Sequence, residues 1–343
     1  MVFSLRLLDG ETAMVYSRFL CVFSLIFSVL LSACSKPDNA QSSPEAEDAV
    51  YKAENVRIGY QRSSTLMTLL KESGELEKKL AEKNVKVSWH EFTSGQPLLE
   101  ALNVGSVDVT ADVADTVPVF AQAAQAKLTY YAKETASPNA QAILIPKNSK
   151  IQTIADLKGK KIAVTKAAGS HYLLIAALNQ AGLSFKDITP AWLSPADGRA
   201  AFEHGGVDAW VTWEPYVSSG TVLQNAKVLA SGEGHANYIR YYLTAQKFAQ
   251  ENPAILNTII QTLEEKAAWV KANPEDAAKI LAPLWGHLPT DVVLQANANR
   301  SYNVQNVIAE DMAEQQQISD AFFNEKLIPH TIDAKASDIF KAK

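Results

Sequence analysis

Polar side chains recur in short loops that follow predicted strands. The first such loop holds Gln61, Arg62 and Ser63, and the second holds Ser94 and Gly95. Amide, guanidinium and hydroxyl groups donate hydrogen bonds, and a glycine lets the backbone approach a ligand closely. Because the ligand of a parallel α/β sheet lies beyond the carboxyl ends of its strands, we expect these loops to contact a small molecule.

A third loop carries Asp115 and Thr116. Asp115 is also suited to capping the helix that follows, through its carboxylate. Thr116 can begin that helix and donate to a ligand at the same time. Ser64 or Thr65 begins the helix after the first loop and can cap that helix instead of contacting a ligand.

The second half of the chain offers a loop rich in small residues, with Gly169, Ser170 and His171 at its end. A helix is predicted to start there, and its first N–H groups and positive dipole end favour an anion. His171 can add a hydrogen-bond donor, and solvation in the first helical turn is its alternative role.

Aromatic residues mark the remaining candidate positions. Trp213, at the end of a predicted strand, offers an apolar wall together with an indole donor, which suits an amphiphilic small molecule. Glu214 follows it, either as a contact or as an acid in the first turn of a helix. Tyr242 is a candidate contact near a predicted crossover, or a buried strand tyrosine.

The composition excludes several classes of function. Motifs typical of serine hydrolases, zinc proteases and P-loop proteins do not occur. Cys21 and Cys34 both precede the predicted folded body, so that body has no thiol for disulfides, metal ligation or nucleophilic catalysis. Acidic residues outnumber basic ones, 37 to 32, and there is no basic tract. We expect no enzymatic activity, cofactor or metal, and no nucleic-acid partner.

The N-terminus has the pattern of an export signal, predicted over residues 1–33. Its apolar run, Phe19–Ala33, is too short for a comfortable membrane span. Asp9 and Glu11 stand where a signal would carry positive charge, which predicts that translation begins at Met14.

The signal ends in Leu31-Ser32-Ala33-Cys34, which resembles the lipobox of bacterial lipoproteins and predicts a lipid on Cys34. Cleavage of an ordinary signal peptide at small residues is the alternative. Residues 34–52 follow as a predicted flexible tether, since most of this stretch is rich in Ser, Pro, Asp and Glu and lacks large apolar residues.

A short pattern occurs twice, one hundred residues apart, at residues 101–108 and 201–208. Each copy has Ala followed by an apolar residue, then Gly three positions later and Val-Asp after one further residue, as at a helix-to-strand junction. Chance recurrence of a common junction is the alternative. The surrounding halves both alternate strand, loop and helix, which predicts two α/β lobes, each a mostly parallel sheet flanked by helices, across a ligand-binding cleft.

The predicted lobe boundaries are residues 53–145 plus 240–343 for the first lobe and 146–239 for the second. A return strand, Tyr241–Ala245, crosses back to the first lobe. Helices are predicted to follow at Pro253–Lys271, Pro274–Leu284, Thr290–Ala298 and Ala309–Phe323.

Together these features resemble the substrate-binding proteins of bacterial ABC importers for aliphatic sulfonates, within the wider nitrate, sulfonate and taurine group. The segments that carry the resemblance span nearly the whole body: residues 56–61, 98–108, 120–124, 156–163, 169–174, 208–210 and 213–216.

The resemblance implies a two-lobed, type II periplasmic-binding-protein fold with two crossovers, monomeric and periplasmic, that closes on a ligand and delivers it to a membrane permease. It also implies that neutral donors and helix N-termini hold the sulfonate, while apolar side chains hold the tail. Residues that fall on the family's site loops are Gln61, Ser94, Gly169, Ser170, His171, Trp213 and Glu214.

Two departures from the family pattern bear on the ligand. The turn after the third strand carries an extra acid, Asp112, which would repel an anion if it pointed inward. The usual Trp-Asp-Pro is here Trp213-Glu214-Pro215. Taurine, nitrate or a thiamine-pyrimidine precursor are the alternative ligands. An enzyme related to thiamine-pyrimidine biosynthesis, or a structural or sensory lipoprotein, are the alternative functions.

Overall fold

The structure, a computed structural model, describes residues 51–342 of the 343-residue chain. The predicted signal segment, the start at Met14, the lipid-bearing Cys34 and most of the predicted tether lie outside the described residues. The last part of that tether packs on the body, where the Tyr51 hydroxyl hydrogen-bonds to Thr258 Oγ1 at 3.2 Å. Along residues 51–342, no helix has both the length and the apolar character needed to cross a membrane.

Strands and helices alternate through the described chain. The strands are β1 (Asn55–Gln61), β2 (Lys86–Phe92), β3 (Val109–Thr110), β4 (Val113–Ala114), β5 (Leu128–Glu134), β6 (Gln141–Ile145), β7 (Lys161–Val164), β8 (Thr189–Trp192), β9 (Ala209–Trp213), β10 (Lys227–Ser231), β11 (Arg240–Ala245), β12 (Val304–Gln305) and β13 (Asp338–Ile339).

The helices are α1 (Thr65–Ser73), α2 (Glu75–Ala81), α3 (Gly95–Asn103), α4 (Thr116–Ala123), α5 (Gly169–Gln180), α6 (Pro195–Glu203), α7 (Tyr216–Leu223), α8 (Gln246–Glu251), α9 (Pro253–Ala272), α10 (Pro274–Leu284), α11 (Thr290–Ala298) and α12 (Met312–Asn324). The last predicted helix differs at its start, because Ala309–Asp311 form a 3₁₀ turn ahead of α12.

Two sheets organise these elements, which confirms the predicted α/β class. The first has the strand order β12-β5-β11-β3-β1-β2, with β13 paired to β5 and β4 to β11. The second has the order β10-β6-β9-β7-β8. In each sheet three successive strands are parallel, β1 with β2 and β3 and β7 with β8 and β9, while the strands next to the crossovers pair antiparallel.

One strand, β6, lies in a different sheet from the one predicted. The predicted boundary after residue 145 places β6 in the first lobe, whereas the structure pairs it with β9 and β10 in the second sheet. All five of its side chains are buried, and a continuous buried run fits the interior of either sheet. The chain therefore leaves the first sheet directly after β5 and returns at β11.

The hundred-residue repeat is the same junction built twice. In each copy the helix is followed by a glycine with positive φ, 74° in the first and 68° in the second. Asp108 Oδ2 accepts a hydrogen bond from Arg57 N, and Asp208 Oδ2 accepts one from Lys161 N, both at 2.8 Å. These bonds tie β3 to β1 and β9 to β7 in the same register, so the loops after the paired strands emerge at equivalent edges.

The C-terminal helices pack against helices that flank both sheets. Helix α9 packs on α1 and α2 through a face that includes Ile255, Ile259 and Leu263, and each buried side chain of this size contributes about 1.5–3 kcal/mol. Helix α11 contacts α7, and α12 contacts both α4 and α5. The helices predicted to pack mostly on the first lobe therefore also reach the helices of the second sheet.

Candidate ligand-binding site

A cleft lies where the loops after the parallel strands of the two sheets meet. The cleft is nearly closed, because the space inside it that a water molecule can enter is only about 20 Å³. The first wall comes from loops of the first sheet, the start of β11 and the end of α11, and the second wall comes from loops of the second sheet and the second crossover. The lining residues are Gln61, Ser63, Ser94, Gly95, Gln96, Asp112, Ala114, Val117, Arg240 and Arg300 on the first wall, and Lys166, Ala167, Ala168, Gly169, Trp213 and Tyr238 on the second.

Helices α3 and α5 begin at this cleft, one on each wall. Each follows a strand through a short loop, and its first residue, Gly95 or Gly169, lines the cleft. Neither N-cap residue, Ser94 or Ala168, caps its helix with a side-chain hydrogen bond. Since the first N–H groups of a helix have no intrahelical acceptor, both termini are open to an anion.

Both of these glycines are needed because the chain is crowded there. A Cβ on Gly169 would lie 2.5 Å from Tyr238 Cε2 and 3.2 Å from the Ala114 Cβ. A Cβ on Gly95 would lie 2.8 Å from Val117 Cγ2. The ring of Tyr238 and the first turn of α5 are thus in close contact, and any larger residue at the start of α5 would push them apart.

The loop before α5 is held from both walls. Ala167 has a φ of 62°, in the left-handed region that a residue with a Cβ seldom adopts. Its carbonyl accepts a hydrogen bond from Thr116 Oγ1 at 2.7 Å, and its N–H donates to His171 Nδ1 at 3.3 Å. Thr116 and His171, both predicted to contact ligand, therefore fix the loop and do not line the cleft.

His171 is fully buried in an aromatic cluster, which excludes the alternative role of a solvated histidine in the first helical turn. Its ring centroid lies 5.1 Å from that of Phe185, 5.0 Å from Trp192 and 4.9 Å from Phe322. Burial, with a smaller contribution from the charge of Lys166, lowers the pKa of His171 to about 3. The imidazole is neutral at physiological pH and accepts the hydrogen bond of the loop.

A buried ionic network forms part of the first wall and extends behind it. Arg240 Nη1 donates to Asp112 Oδ2 at 2.7 Å, and its Nη2 donates to Glu134 Oε2. Tyr242, a predicted contact, does not line the cleft and donates to Glu134 Oε1 at 2.7 Å. Burial opposes the charge of Arg240, but the two carboxylates outweigh it and hold its pKa above the ordinary value. Burial also raises the pKa of Glu134.

Arg300 bridges the two walls and has no carboxylate partner among the hydrogen bonds of the described chain. Its Nη1 donates to the Ser63 carbonyl at 2.8 Å and to Thr65 Oγ1 at 3.2 Å, and its Nη2 donates to the Glu214 carbonyl at 2.8 Å. Its Nε has no hydrogen-bond partner within residues 51–342. A buried guanidinium with only neutral acceptors attracts an anion strongly, because the low dielectric around it screens little.

Arg62 and Ser170 do not line the cleft. Arg62 donates to Glu91 Oε1 from Nη2 at 2.7 Å, and its side chain is 58% exposed at a neighbouring opening. Ser170 lies in the first turn of α5 and is fully buried, and its hydroxyl has no partner in the described part of the chain. Sequence position alone could not separate these residues from their neighbours Ser63 and Gly169, which do line it.

Asp115 and Glu214 are buried and support the walls from behind. Asp115 Oδ2 accepts a hydrogen bond from Ile239 N at 3.2 Å, and burial raises the pKa of Asp115 well above its usual value. The Glu214 carboxylate accepts hydrogen bonds from the Ser218 hydroxyl at 2.8 Å and from Asn299 Nδ2 at 2.7 Å. Burial raises the pKa of Glu214 as well.

The sequence-predicted contacts that the structure gathers at the cleft are Gln61, Ser63, Ser94, Gly95, Gly169 and Trp213. Sequence reasoning did not select the two buried arginines, nor Gln96, Lys166 and Tyr238. The only available signal was indirect: Arg240 opens a buried strand, where an unpaired charge is costly. Within residues 51–342, no group of three or more His, Cys, Asp and Glu residues is placed to hold a metal ion.

Comparison with known proteins agrees with this architecture. The family described as NMT1/THI5 like matches residues 80–277, more than half of the chain. The alkanesulfonate-binding protein SsuA from Xanthomonas axonopodis pv. citri, bound to MOPS, is 38% identical and superposes with a TM-score of 0.77, covering 82% of this chain and 96% of that one. The periplasmic aliphatic sulphonate binding protein SsuA from Escherichia coli is 41% identical, with a TM-score of 0.76, covering 83% and 97%. This chain belongs to the NMT1/THI5-like family.

Proposed function

We propose that this chain is the extracytoplasmic substrate-binding subunit of an ABC importer and that it captures an aliphatic sulfonate in the cleft. The observation that carries the proposal is the meeting of two uncapped helix N-termini, from opposite walls, with the buried guanidinium of Arg300. Because these three groups converge on one cavity, they suit a compact anion with several acceptor oxygens. The similarity to sulfonate-binding proteins supports the choice of sulfonate.

The apolar part of the ligand has its own support in the cleft. Trp213, Val117 and Ala114 present hydrocarbon or aromatic surface beside the donors. Trp213 packs with Tyr238 and Ala168 and is only 6% exposed, so its ring is a fixed wall. A sulfonate with a short aliphatic tail combines an anionic head with an apolar end and matches this arrangement.

Contacts that cross the cleft indicate how it closes. The Thr116 hydroxyl reaches the Ala167 carbonyl, and Trp213 Nε1 reaches Ser63 Oγ at 3.5 Å. Arg300 joins the loop after β1 to the loop after β9. A ligand bound to both helix termini would add to these bridges and favour the closed arrangement, the form that a permease would recognise.

The relatives are binding proteins, and we propose that this chain is one also and not an enzyme. The cysteines here, Cys21 and Cys34, both precede β1, so the described residues 51–342 offer no thiol for catalysis. Export to the periplasm through the N-terminal signal, a lipid anchor at Cys34, delivery to a membrane permease and a monomeric state complete the proposal, with a role in sulfur supply.

Titration calorimetry on the purified body, residues 51–343, tests the ligand class. The probes are ethanesulfonate and propane-1-sulfonate, with butanoate, nitrate and a thiamine-type pyrimidine as comparisons. We expect the sulfonates to bind and the comparison ligands to bind far more weakly, because the three oxygens of a sulfonate can reach both helix termini and Arg300 together. Binding of nitrate or the pyrimidine without binding of any sulfonate would contradict the proposal.

A further inference from the structure

A second cavity adjoins the cleft and is much larger. A water molecule can enter about 290 Å³ of it, against about 20 Å³ of the cleft. The space in the cleft equals roughly one or two water molecules, which suits the compact head of a ligand and leaves little room for a tail. A long tail would therefore have to leave the cleft. We call the second cavity the side groove.

Two helix faces form the side groove. On α3 its lining residues recur three and four positions apart, at Gln96, Leu99, Glu100 and Asn103. On α4 and at its end the same spacing recurs, at Val117, Phe120, Ala121 and Ala124. Residues with this spacing share one face of a helix, so the groove runs along both helices. Residues 327–329, after α12, form its third side.

The side groove begins at the cleft. Gln96, Val117 and Lys166 line both cavities, and the first two lie in the first turns of α3 and α4. A ligand head at the N-terminus of α3 is therefore next to the entrance of the groove. From Gln96 to Asn103 a helix rises about 10 Å, the length of an extended chain of about eight carbon atoms.

The side groove offers apolar surface along this length. Leu99 and Val117 are each 4% exposed. The Phe120 ring lies edge-on against Phe322, with the ring centroids 4.7 Å apart, and is thereby held in place. An alkyl chain laid on these groups would be removed from water, which stabilises its binding.

Charge sets the direction in which a sulfonate would bind. Lys166 lies at the end that the groove shares with the cleft, whereas Glu100 lines the groove and not the cleft. Gln96, at the shared end, donates from Nε2 to Glu100 Oε1 at 3.1 Å. An anionic head is attracted by Lys166 and repelled by Glu100, so the head stays in the cleft and the neutral tail enters the groove.

The cleft has another opening, which gives a tail a different route. Gln61, Ser63 and Trp213 line both this opening and the cleft. The ion pair of Arg62 with Glu91, whose nitrogen and oxygen are 2.7 Å apart, also lines the opening. An alkyl chain there would take water from both charges, which is unfavourable. The side groove is therefore the better route for an apolar tail.

We infer that the side groove binds the alkyl tail of the ligand, and that this chain binds alkanesulfonates of about eight carbon atoms in preference to short ones. The tail site rests on the proposed function, because the sulfonate head must occupy the cleft for the tail to reach the groove. Ala121 and Ala124 leave space for the tail, since larger side chains at these positions would fill the groove.

A series of chain lengths tests the inference in the unmodified protein. Calorimetry compares propane-, hexane-, octane- and dodecane-1-sulfonate. We expect binding to strengthen about twofold per added carbon from propane to octane, about 30-fold in all, with one ligand per chain. A fully buried methylene would give about fourfold, but the groove is open to solvent on one side. Dodecane-1-sulfonate should gain little more, because its last carbons pass the end of the groove.

Three variants locate the tail. Ala121→Phe places a ring midway along the groove, so the ratio of octane- to propane-1-sulfonate affinity should fall from about 30 to about 3 or less. Ala196→Phe is the matched control, because it adds the same ring at the other opening, where Ala196 is exposed, and should keep the ratio. Ala124→Phe, at the exposed far end of the groove, should end the gain in affinity at about six carbons. This variant keeps the test if Ala121→Phe fails to fold.

The outcomes separate the two proposals. If no alkanesulfonate of any length binds, the proposed function fails. If propane- and octane-1-sulfonate bind equally, the tail site is overturned while the sulfonate function stands. Loss of the length preference in Ala196→Phe and not in Ala121→Phe would place the tail in the other opening and would overturn the tail site as well.

Discussion

The two halves build the same strand junction and then differ where they meet the ligand. Asp108 and Asp208 hold their strands with equivalent backbone hydrogen bonds at 2.8 Å. Beyond the first junction the chain leads to Asp112 and its partner Arg240, both buried. Beyond the second it leads to Trp213, which is aromatic and uncharged.

Because of this difference, the two walls offer different chemical groups to a ligand. The first wall supplies buried charge, from Asp112, Arg240 and Arg300. The second supplies backbone N–H groups at Gly169 and the face of Trp213, held by a tightly packed loop. We infer that the first wall sets the strength and charge preference of binding, while the second sets the fit and the closure.

The largest expected effect comes from removing the charge of the first wall. Arg300→Gln should weaken binding of propane-1-sulfonate about 100-fold, since losing a buried charged donor commonly costs this much or more. Arg62→Gln is the matched control, because Arg62 is exposed at a neighbouring opening and paired with Glu91. Calorimetry of the three proteins measures the difference. Equal losses in both variants would show that the buried charge of Arg300 has no special role in binding.

The second wall should be sensitive to acid through His171. Its folded-state pKa of about 3 lies below the usual 6.5, so the unfolded chain takes up the proton first as the pH falls. The stability contributed by neutral His171 is complete above 6.5 and is lost progressively between 6.5 and about 3. From pH 6.5 to about pH 4.5 the loss should be about 2 kcal/mol.

Urea unfolding at several pH values measures this loss, with His171→Asn as the reference. An asparagine can accept the Ala167 N–H but has no proton to gain, so the stability gap between variant and unmodified protein should narrow as the pH falls. The buried carboxyls with raised pKa values, such as Asp115 and Glu214, act in the opposite direction in both proteins and cancel. A gap that stays constant with pH would contradict a buried neutral His171.

A smaller effect is expected from crowding the second wall. Gly169→Ala places a Cβ 2.5 Å from the Tyr238 ring, which should prevent the start of α5 from closing on the ligand. We expect about a tenfold loss of sulfonate affinity, because the Tyr238 ring must move by roughly 1 Å before the contact becomes an ordinary one. The same crowding should also lower the thermal stability of the ligand-free protein, which a thermal melt of both proteins measures. Unchanged affinity would show that this close approach is not needed for binding.

Local pattern was enough to locate the framework of the site. The alternation of strands and helices placed Ser94 and Gly169 after parallel strands, and the structure brings both to the cleft. This works because the direction of a parallel strand fixes which end its following loop occupies. The same reasoning could not assign β6 to a sheet, because its buried run fits either one.

The charged residues of the site could not be predicted from local sequence patterns, because their contacts join segments that are far apart in the chain. Arg300 reaches Ser63 across 237 positions of the chain, and nothing in its neighbouring residues marks it as a site residue. His171 has its aromatic neighbours on three other segments, so its burial could not be read from α5 alone. Thr116 and Glu214 were predicted as ligand contacts from their positions, but they do not line the cleft, because the tertiary fold buries them in other hydrogen bonds.

The central claim is that one sulfonate is held between the two unlike walls. A crystal structure of the protein with propane-1-sulfonate tests it most directly. We predict that the sulfonate oxygens lie within hydrogen-bond distance of a first-turn N–H of α3 and a first-turn N–H of α5, with Arg300 beside them. A sulfonate bound outside the cleft, or contacting the termini of only one wall, would contradict the account.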